Sequence, residues 1–210
     1  MSDKPAFDKI YEKPDTAVWT TDEPPRMLRV AIEGQKISPS KVLDVACGEG
    51  AFSVYLAKHG FQVTGIDFSE NAIEYAKARA DKEKLDIRFL VIDATKLDDL
   101  HETFDFVFEW ALIHHLEESM VKPYIDSVAR KLNPGGWYMT NSFNIESPLY
   151  GTPGVRVRKT FLGTELHYHS QDEMRDLFSP YFEIVESAIE PIVGKGDVFQ
   201  IGNFFLMRRK

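Results

Sequence analysis

The sequence is poor in cysteine, and this shortage excludes two structural features that need several cysteines. Cys47 is the only cysteine among the 210 residues, so neither an internal disulfide framework nor a zinc site with several thiolate ligands can form within the chain. Because Cys47 stands between small residues, we interpret it as a packing residue rather than a nucleophile.

Long apolar runs are also lacking. No stretch approaches the roughly 18–20 apolar residues that a membrane span requires. The opening residues, 1–5, contain no apolar segment followed by a small-residue cleavage site. We therefore expect a cytoplasmic protein without a membrane partner.

Basic residues are fewer than acidic ones. The chain has 25 Lys and Arg against 33 Asp and Glu, which gives a net charge of −8 and a pI near 5.3. Such a charge repels phosphate backbones, so we predict no nucleic-acid partner. The hydrophobic fraction of 43% can bury one core, and we expect a single domain in a monomer or homodimer.

Strands and helices alternate along most of the chain. Short apolar runs predict seven strands, and apolar residues at helical spacing predict helices after the first, second and fourth of them. This order is typical of an α/β fold with a doubly wound, mostly parallel sheet. We expect the third and fourth strands to be central. The strands are predicted at residues 42–45, 61–66, 87–92, 104–108, 137–143, 182–187 and 199–207.

Two segments interrupt this alternation. Residues 1–40 are predicted to form an N-terminal segment, irregular through about Thr21, followed by a cap helix over residues 24–34. Residues 41–210 then form the main domain. Within it, residues 144–169 are too long for an ordinary connection, and we expect them to form a lid-like insertion.

A glycine-containing turn follows the first predicted strand. It reads Asp44-Val45-Ala46-Cys47-Gly48-Glu49-Gly50. Gly48 and Gly50 lack the Cβ atoms that would block a ligand, and a helix starting near Ala51 would direct free N–H groups at it. The turn is therefore predicted to bind a ligand beyond the carboxyl ends of the strands.

Acidic residues surround this turn. Asp67 ends the second predicted strand, where its carboxylate can accept both hydroxyls of a ribose. Asp44 and Glu49 favour a positively charged ligand, and Asp93 can accept from the exocyclic amine of adenine. A dinucleotide-binding turn would carry Gly or Ala where this chain has Ser53. An NAD(P)-dependent oxidoreductase nevertheless stays open as an alternative.

Four motifs together give the sequence a family resemblance. It resembles the class I S-adenosylmethionine-dependent methyltransferases. The resemblance implies a Rossmann-like, seven-stranded sheet with one antiparallel strand, and S-adenosylmethionine as a cofactor that leaves as S-adenosylhomocysteine. Ala46 stands where the family often has glycine. The motifs are residues 44–50, 65–69, 93–94 and 133–136.

The resemblance also implies where the cofactor lies. Asp67 and Phe68 would contact the ribose and the adenine, and Asp93 with Ala94 would contact the adenine ring. Within the family the chain is most similar to the small-molecule branch that includes thiol, halide, tellurite and thiopurine methyltransferases. This similarity rests on Trp19, on residues 63–69 and on the lack of a large added domain. Trp19 could instead simply pack on the sheet.

The branch implies methyl transfer to a sulfur, oxygen, nitrogen or halide of a small molecule. Residues 109–115 follow the fourth strand, where the acceptor should meet the methyl group. His114 could deprotonate the acceptor, and Glu109 could orient the acceptor or the methionine amine. A packed histidine and an exposed carboxylate are the alternatives. A non-catalytic, nucleoside-binding scaffold also stays open.

Other side chains are candidates for contacting the acceptor. Trp110 and His115 lie in the same segment as His114, and Tyr11 could cover the cofactor from the N-terminal segment. His167 and His169 would point to one side of an extended chain, which permits a substrate contact. Because the sequence offers them no evident third ligand, we predict no metal.

Overall fold

The order of helices and strands follows the predicted alternation, although two sheet strands, over residues 132–143 and 182–193, are longer than predicted. The computed structural model describes residues 4–13, 21–148, 150–161, 164–193 and 199–210. The strands are β1 (Lys41–Val45), β2 (Gln62–Asp67), β3 (Arg88–Val91), β4 (Phe104–Trp110), β5 (Leu132–Phe143), β6 (Val157–Lys159), β7 (Glu165–His167), β8 (Phe182–Val193) and β9 (Phe199–Arg209). The α-helices are α1 (Lys4–Ile10), α2 (Arg26–Glu33), α3 (Ala51–Lys58), α4 (Glu70–Glu83), α5 (Glu118–Lys131) and α6 (Gln171–Phe178).

Seven strands form one sheet in the order β3-β2-β1-β4-β5-β9-β8. Strands β1 to β5 pair in parallel, whereas β9 is antiparallel to both of its neighbours. This confirms the predicted fold class, including its one antiparallel strand. The parallel carboxyl ends bring the residues that follow β1, β2 and β4 to one edge of the sheet.

Helices cover both faces of the sheet. Val107 packs in a buried cluster with residues of α5 and α6. Its neighbours Phe106 and Phe108 pack in another cluster with residues of α2. Because successive strand residues point to opposite faces, this burial of consecutive residues shows why β4 is apolar throughout.

Serine side chains cap the first turns of two helices, α4 and α6. Ser69 accepts the backbone N–H of Ala72 at the start of α4, and Ser170 with Glu173 forms a capping box at the start of α6. Among the described residues, no helix is long and apolar enough to cross a membrane.

Two predictions about local structure are wrong. The N-terminal segment is not irregular throughout, because α1 is helical and buries Phe7 against the rest of the protein. Tertiary contacts stabilise this short helix, which has little helical signal of its own. Strand β3 is an edge strand rather than a central one, and its Val91 is 46% exposed.

The segment 144–169 contains its own small hairpin. Strands β6 and β7 pair antiparallel, with Arg158 opposite Leu166. Arg158 is buried and donates to the carbonyls of Ser147 and Ile145. Side-chain to backbone hydrogen bonds therefore hold the hairpin against the start of the segment. Its role as a lid stays a prediction.

Candidate functional site

The turn after β1 opens onto a cleft, which we call the turn cleft. Its lining includes Tyr11, Asp44, Ala46, Gly48, Glu49, Asp67 and Phe68. Ala46 has a φ of +56° and Gly48 a φ of +54°. A Cβ on Gly48 would lie 3.1 Å from the Tyr11 hydroxyl, so the backbone of Gly48 faces the cleft directly. The structure thus brings together most of the predicted cofactor residues.

Gly50 has a different role from the predicted one. Its φ is +74°, and a Cβ there would lie 2.8 Å from the Cβ of Ala76 and 3.1 Å from the ring of Phe89. Gly50 therefore allows close packing against α4 and β3. It does not line the turn cleft among the described residues, so its lack of a Cβ does not serve ligand access.

Two buried carboxylates stand at the edge of the turn cleft. Asp44 accepts the hydroxyl of Ser53 at 2.5 Å, and burial raises its pKa to about 7. Asp67 accepts the backbone N–H groups of Gly48 and Ser69 at 3.0 and 2.9 Å, and burial raises its pKa to about 6. Ser53, which departs from the dinucleotide pattern, is thus a partner of Asp44.

Buried carboxylates favour a cationic ligand. A sulfonium near Asp44 would stabilise the ionised form of this carboxylate. The backbone of Gly48 leaves room for the ligand, and the aromatic ring of Phe68 is available to stack. The residues of the turn cleft therefore fit S-adenosylmethionine.

A larger cavity of about 420 Å³ adjoins the turn cleft, and we call it the apolar cavity. Phe7, Phe52, Trp110, Ala111, His115 and Phe143 line both spaces. The segment 144–169 contributes further apolar walls through Tyr150, Phe161 and Leu166. A ligand in the turn cleft would therefore meet a second molecule at the wall that contains Trp110 and Phe143.

His114 is fully buried and lines the turn cleft. Its Nδ1 accepts the backbone N–H of Phe143 at 3.2 Å, and burial holds its pKa well below the ordinary value. The neutral ring therefore carries its proton on Nε2, which is a donor rather than a base. This geometry argues against the predicted deprotonation of the acceptor by His114.

His115 lies where the two cavities meet. Its ring contacts Phe7 edge-on, with centroids 5.0 Å apart. Burial lowers its pKa to about 4, so it is neutral at physiological pH. A base of this strength would be inefficient toward a hydroxyl or thiol of much higher pKa.

Glu109 does not occupy an exposed position. Its side chain is completely buried, and its carboxylate accepts the Leu112 backbone N–H at 2.6 Å and the hydroxyls of Thr140 and Tyr138. Among the described residues it lines neither cavity. The alternative of an exposed carboxylate is therefore wrong, because β4 directs this side chain into the interior. Its contact with cofactor or acceptor stays a prediction.

Asp93 and Ala94 follow β3 at the edge of the sheet. Asp93 caps a short 3₁₀-helix over Ala94–Asp99 by accepting from Thr95. Neither Asp93 nor Ala94 lines the turn cleft among the described residues. Their contact with an adenine stays a prediction.

The two histidines of the 144–169 segment separate. His169 is buried, with Nε2 3.0 Å from a carboxylate oxygen of Glu118, whereas His167 is half-buried on β7. Neither lines a cavity within the described part of the chain, so the predicted substrate contact is not supported. No group of three or more described His, Cys, Asp or Glu residues could hold a metal ion. Trp19 lies outside the described residues.

Sequence reasoning missed several residues of the site. Phe7, Phe52 and Phe143 line both cavities, although their sequence patterns indicate only core positions. Phe52 follows the turn and Phe143 ends a strand, so their positions were a usable signal. Burial also raises the pKa of Cys47 well above the ordinary value, which fits a protonated packing residue.

Comparison with known proteins finds similarity to methyltransferases. Residues 42–136 match a protein family described as a methyltransferase domain. The chain is 33% identical over 132 residues to a ubiquinone biosynthesis O-methyltransferase of Coxiella burnetii, which is 62% of this chain and 56% of the relative. It therefore spans just over half the length of that relative.

Two further similarities extend over most of the chain. A 2-heptyl-1-hydroxyquinolin-4(1H)-one methyltransferase of Mycobacteroides abscessus is 26% identical over 185 residues, 88% of this chain and 76% of the relative. The solved 1,6-didemethyltoxoflavin-N1-methyltransferase of Burkholderia thailandensis, with bound 1,6-didemethyltoxoflavin and S-adenosylhomocysteine, is 19% identical. It superposes with a TM-score of 0.79 and covers 99% of this chain and 87% of its own.

Proposed function

Because the chain belongs to the class I S-adenosylmethionine-dependent methyltransferases, we propose that it methylates a heteroatom of a small aromatic molecule. One observation carries the proposal: a cleft lined by buried carboxylates opens into an apolar cavity, and the two share the wall around Trp110 and Phe143. A cationic methyl donor and an apolar acceptor would meet at this wall.

Aromatic acceptors agree with both the cavity and the relatives. Phe52, Trp110 and Phe143 offer flat apolar surfaces to a planar ring. The Mycobacteroides abscessus and Burkholderia thailandensis relatives are named for a hydroxyquinolone and for didemethyltoxoflavin. We therefore favour a ring oxygen or nitrogen over the sulfur and halide acceptors that the sequence also allowed.

The residues of the chain bind and align the two partners. S-adenosylmethionine supplies an activated methyl group when bound. In our proposal Asp67 holds the ribose, Phe68 and Asp93 face the adenine, and Asp44 and Glu49 stabilise the positive charge. The rings of Phe7 and Trp110 exclude water from the point of transfer, so alignment provides much of the acceleration.

No side chain of the described site is proposed as a general base. The Nδ1 of His114 is engaged by Phe143, and His115 is a weak base. An acceptor that ionises on its own in the pH range of the assay could react without one. A lone pair of its heteroatom attacks the methyl carbon while the carbon–sulfur bond breaks, and the sulfur retains the bonding electrons.

The test begins with binding and continues with turnover. Isothermal titration with S-adenosylmethionine and S-adenosylhomocysteine should show affinity in the micromolar range, and hydroxylated and nitrogen-containing aromatic acceptors should release S-adenosylhomocysteine. Binding without turnover would favour the scaffold alternative. Thermal stabilisation by NADH and not by S-adenosylhomocysteine would favour an oxidoreductase. Three expectations stay predictions: that no nucleic acid is a partner, that the protein is a monomer or homodimer, and that it is cytoplasmic.

A further inference from the structure

Arg29 on α2 lines the apolar cavity and has unused hydrogen-bonding capacity. Its Nε is buried and has no hydrogen-bond partner within the described part of the chain. A buried N–H without a partner is unfavourable and is rare in folded proteins. The side chain of Arg29 lines a ligand-sized cavity while its Nε atom is covered, so an anion would reach Nε by taking the place of Glu23 beside Nη2.

The partner of Arg29 on the protein is weakly held. Its Nη2 lies 3.3 Å from a carboxylate oxygen of Glu23, whose side chain is 74% exposed. Exposed ion pairs of this kind contribute little, so another carboxylate could replace Glu23 at small cost. The Nε and Nη2 hydrogens lie on the same edge of the guanidinium, which can grip a carboxylate through two parallel hydrogen bonds.

The other charged residues around the cavity do not compete for this role. Among the described residues that line it, Arg26 is already 3.2 Å from a carboxylate oxygen of Glu190. The remaining walls are mainly aromatic and aliphatic. An incoming anion would therefore find its best partner at Arg29, with its apolar part toward Trp110 and Phe143.

We propose that Arg29 selects the methyl acceptor, and that the acceptor is an aromatic compound with a carboxylate that displaces Glu23 and occupies both Nε and Nη2. The inference rests on the proposed function, because it identifies the cavity as the acceptor site. It adds a chemical class that neither the family nor the relatives specify.

Matched acids and amides test the proposal directly. Quinoline-2-carboxylate and 3,4-dihydroxybenzoate are compared with their carboxamides by isothermal titration of the protein saturated with S-adenosylhomocysteine. The wild type should bind each acid at least about tenfold more tightly than its amide, as expected for a charge-assisted pair of hydrogen bonds. Equal affinity for acid and amide, or no binding of either acid at millimolar concentration, would overturn the proposal.

Substitutions at the ion pair should act in opposite directions. Arg29→Gln should reduce the preference for the acid to about twofold or less, whereas Glu23→Gln should increase affinity for the acid by about two- to fivefold, because the competing carboxylate is gone. Arg29→Lys should retain part of the preference, since it keeps the charge without the planar fork. A preference that survives in Arg29→Gln contradicts the role of Arg29.

A remote substitution controls for the loss of one positive charge. Lys36 pairs with Glu186 at 2.6 Å, is 39% exposed and lines neither cavity, while Arg29 is 41% exposed. Lys36→Gln should therefore keep the wild-type preference. All variants should bind S-adenosylhomocysteine as the wild type does. A wild type that does not bind S-adenosylhomocysteine would instead contradict the proposed function itself.

Discussion

The imidazole of His114 lies flat against the ring of Phe143, with centroids 3.5 Å apart and planes 9° from parallel. The same imidazole accepts the Phe143 backbone N–H through Nδ1. These contacts join the segment after β4 to the end of β5, where both cavities meet. His114 therefore fixes the shape of the wall at which methyl transfer is proposed.

This arrangement predicts different effects for two substitutions of His114. Asparagine can place its side-chain oxygen near the position of Nδ1 and keep the bond to the Phe143 N–H, whereas alanine leaves that N–H without an acceptor. His114→Ala should therefore lower the free energy of unfolding by about 1–3 kcal/mol, and His114→Asn by less. Urea unfolding of the three proteins measures the difference.

The kinetic prediction for the same residue concerns pH. Because the low pKa of His114 keeps the ring neutral, kcat between pH 6 and 9 should follow the ionisation of the acceptor alone. Acceptors of different pKa should shift the profile accordingly. A fixed inflection near pH 6–7 that disappears in His114→Asn would show that His114 acts as a base after all.

The buried carboxylates of the turn cleft predict a pH-dependent affinity for the cofactor. In the free protein, burial raises the pKa of Asp44 to about 7 and that of Asp67 to about 6. A bound sulfonium favours the ionised carboxylates and lowers both pKa values, so binding releases protons. Affinity for S-adenosylmethionine should therefore rise between about pH 5.5 and 7.5, by at most about tenfold per pH unit for each proton released.

S-adenosylhomocysteine provides the control, because it lacks the sulfonium charge. Its affinity should rise less over the same range, and Asp44→Asn should flatten the profile for S-adenosylmethionine. Isothermal titration in buffers with different ionisation enthalpies counts the released protons. Identical pH profiles for the two ligands would show that these carboxylates do not respond to the sulfonium.

The two glycines of the turn give a matched pair of substitutions. Gly50→Ala places a Cβ against Ala76 and Phe89, so it should destabilise the fold by about 1–3 kcal/mol. Gly48→Ala meets only the end of the Tyr11 side chain within 4 Å, but its Cβ points into the turn cleft. We expect the larger loss of melting temperature in Gly50→Ala and the larger loss of cofactor affinity in Gly48→Ala.

The opposite order of effects would contradict this division of roles. Both substitutions place alanine at a positive φ, so the backbone cost is similar and their difference reports on the surroundings of each Cβ. Thermal unfolding and titration with S-adenosylhomocysteine, carried out on the same preparations, separate the two effects.

The order and type of the sheet strands were predictable because their signals are local. Apolar runs such as residues 104–108 and the glycine turn at 44–50 follow from backbone geometry and burial that any sequence of this pattern would share. The motif spacing also identified Asp67 and Phe68 as residues of the cleft. By contrast, α1 could not be predicted, since its burial depends on contacts of Phe7 with Phe68 and His115 from distant parts of the chain.

Side-chain direction explains why two neighbouring candidate residues lie differently. Residues 109 and 110 are adjacent at the end of β4, yet Trp110 lines both cavities and Glu109 points into the interior. Strand alternation requires opposite directions, but the sequence does not say which of the two faces the ligand. Arg29 could not be recognised from the sequence for a similar reason. Its position at the wall of the apolar cavity depends on how α2 packs beside β8 and β9.

Glu109 provides the last test, since its position predicts a structural role with a definite dependence on pH. Burial raises its pKa from 4.5 to about 7, so the folded protein binds this proton more strongly than the unfolded chain. Its contribution to stability is complete below about pH 4.5 and is lost as the pH rises through 7. Glu109→Gln, which resembles the protonated acid, should therefore gain stability relative to the wild type between pH 5 and 8, by no more than about 3 kcal/mol.

Because Glu109 lines neither cavity, the same variant should bind S-adenosylmethionine within about twofold of wild type. Glu109→Ala should be less stable at every pH, because the Leu112 N–H loses its acceptor. Chemical denaturation across this pH range measures the first effect and titration the second. A Glu109→Gln protein that keeps its stability but loses the cofactor would return this carboxylate to the binding site.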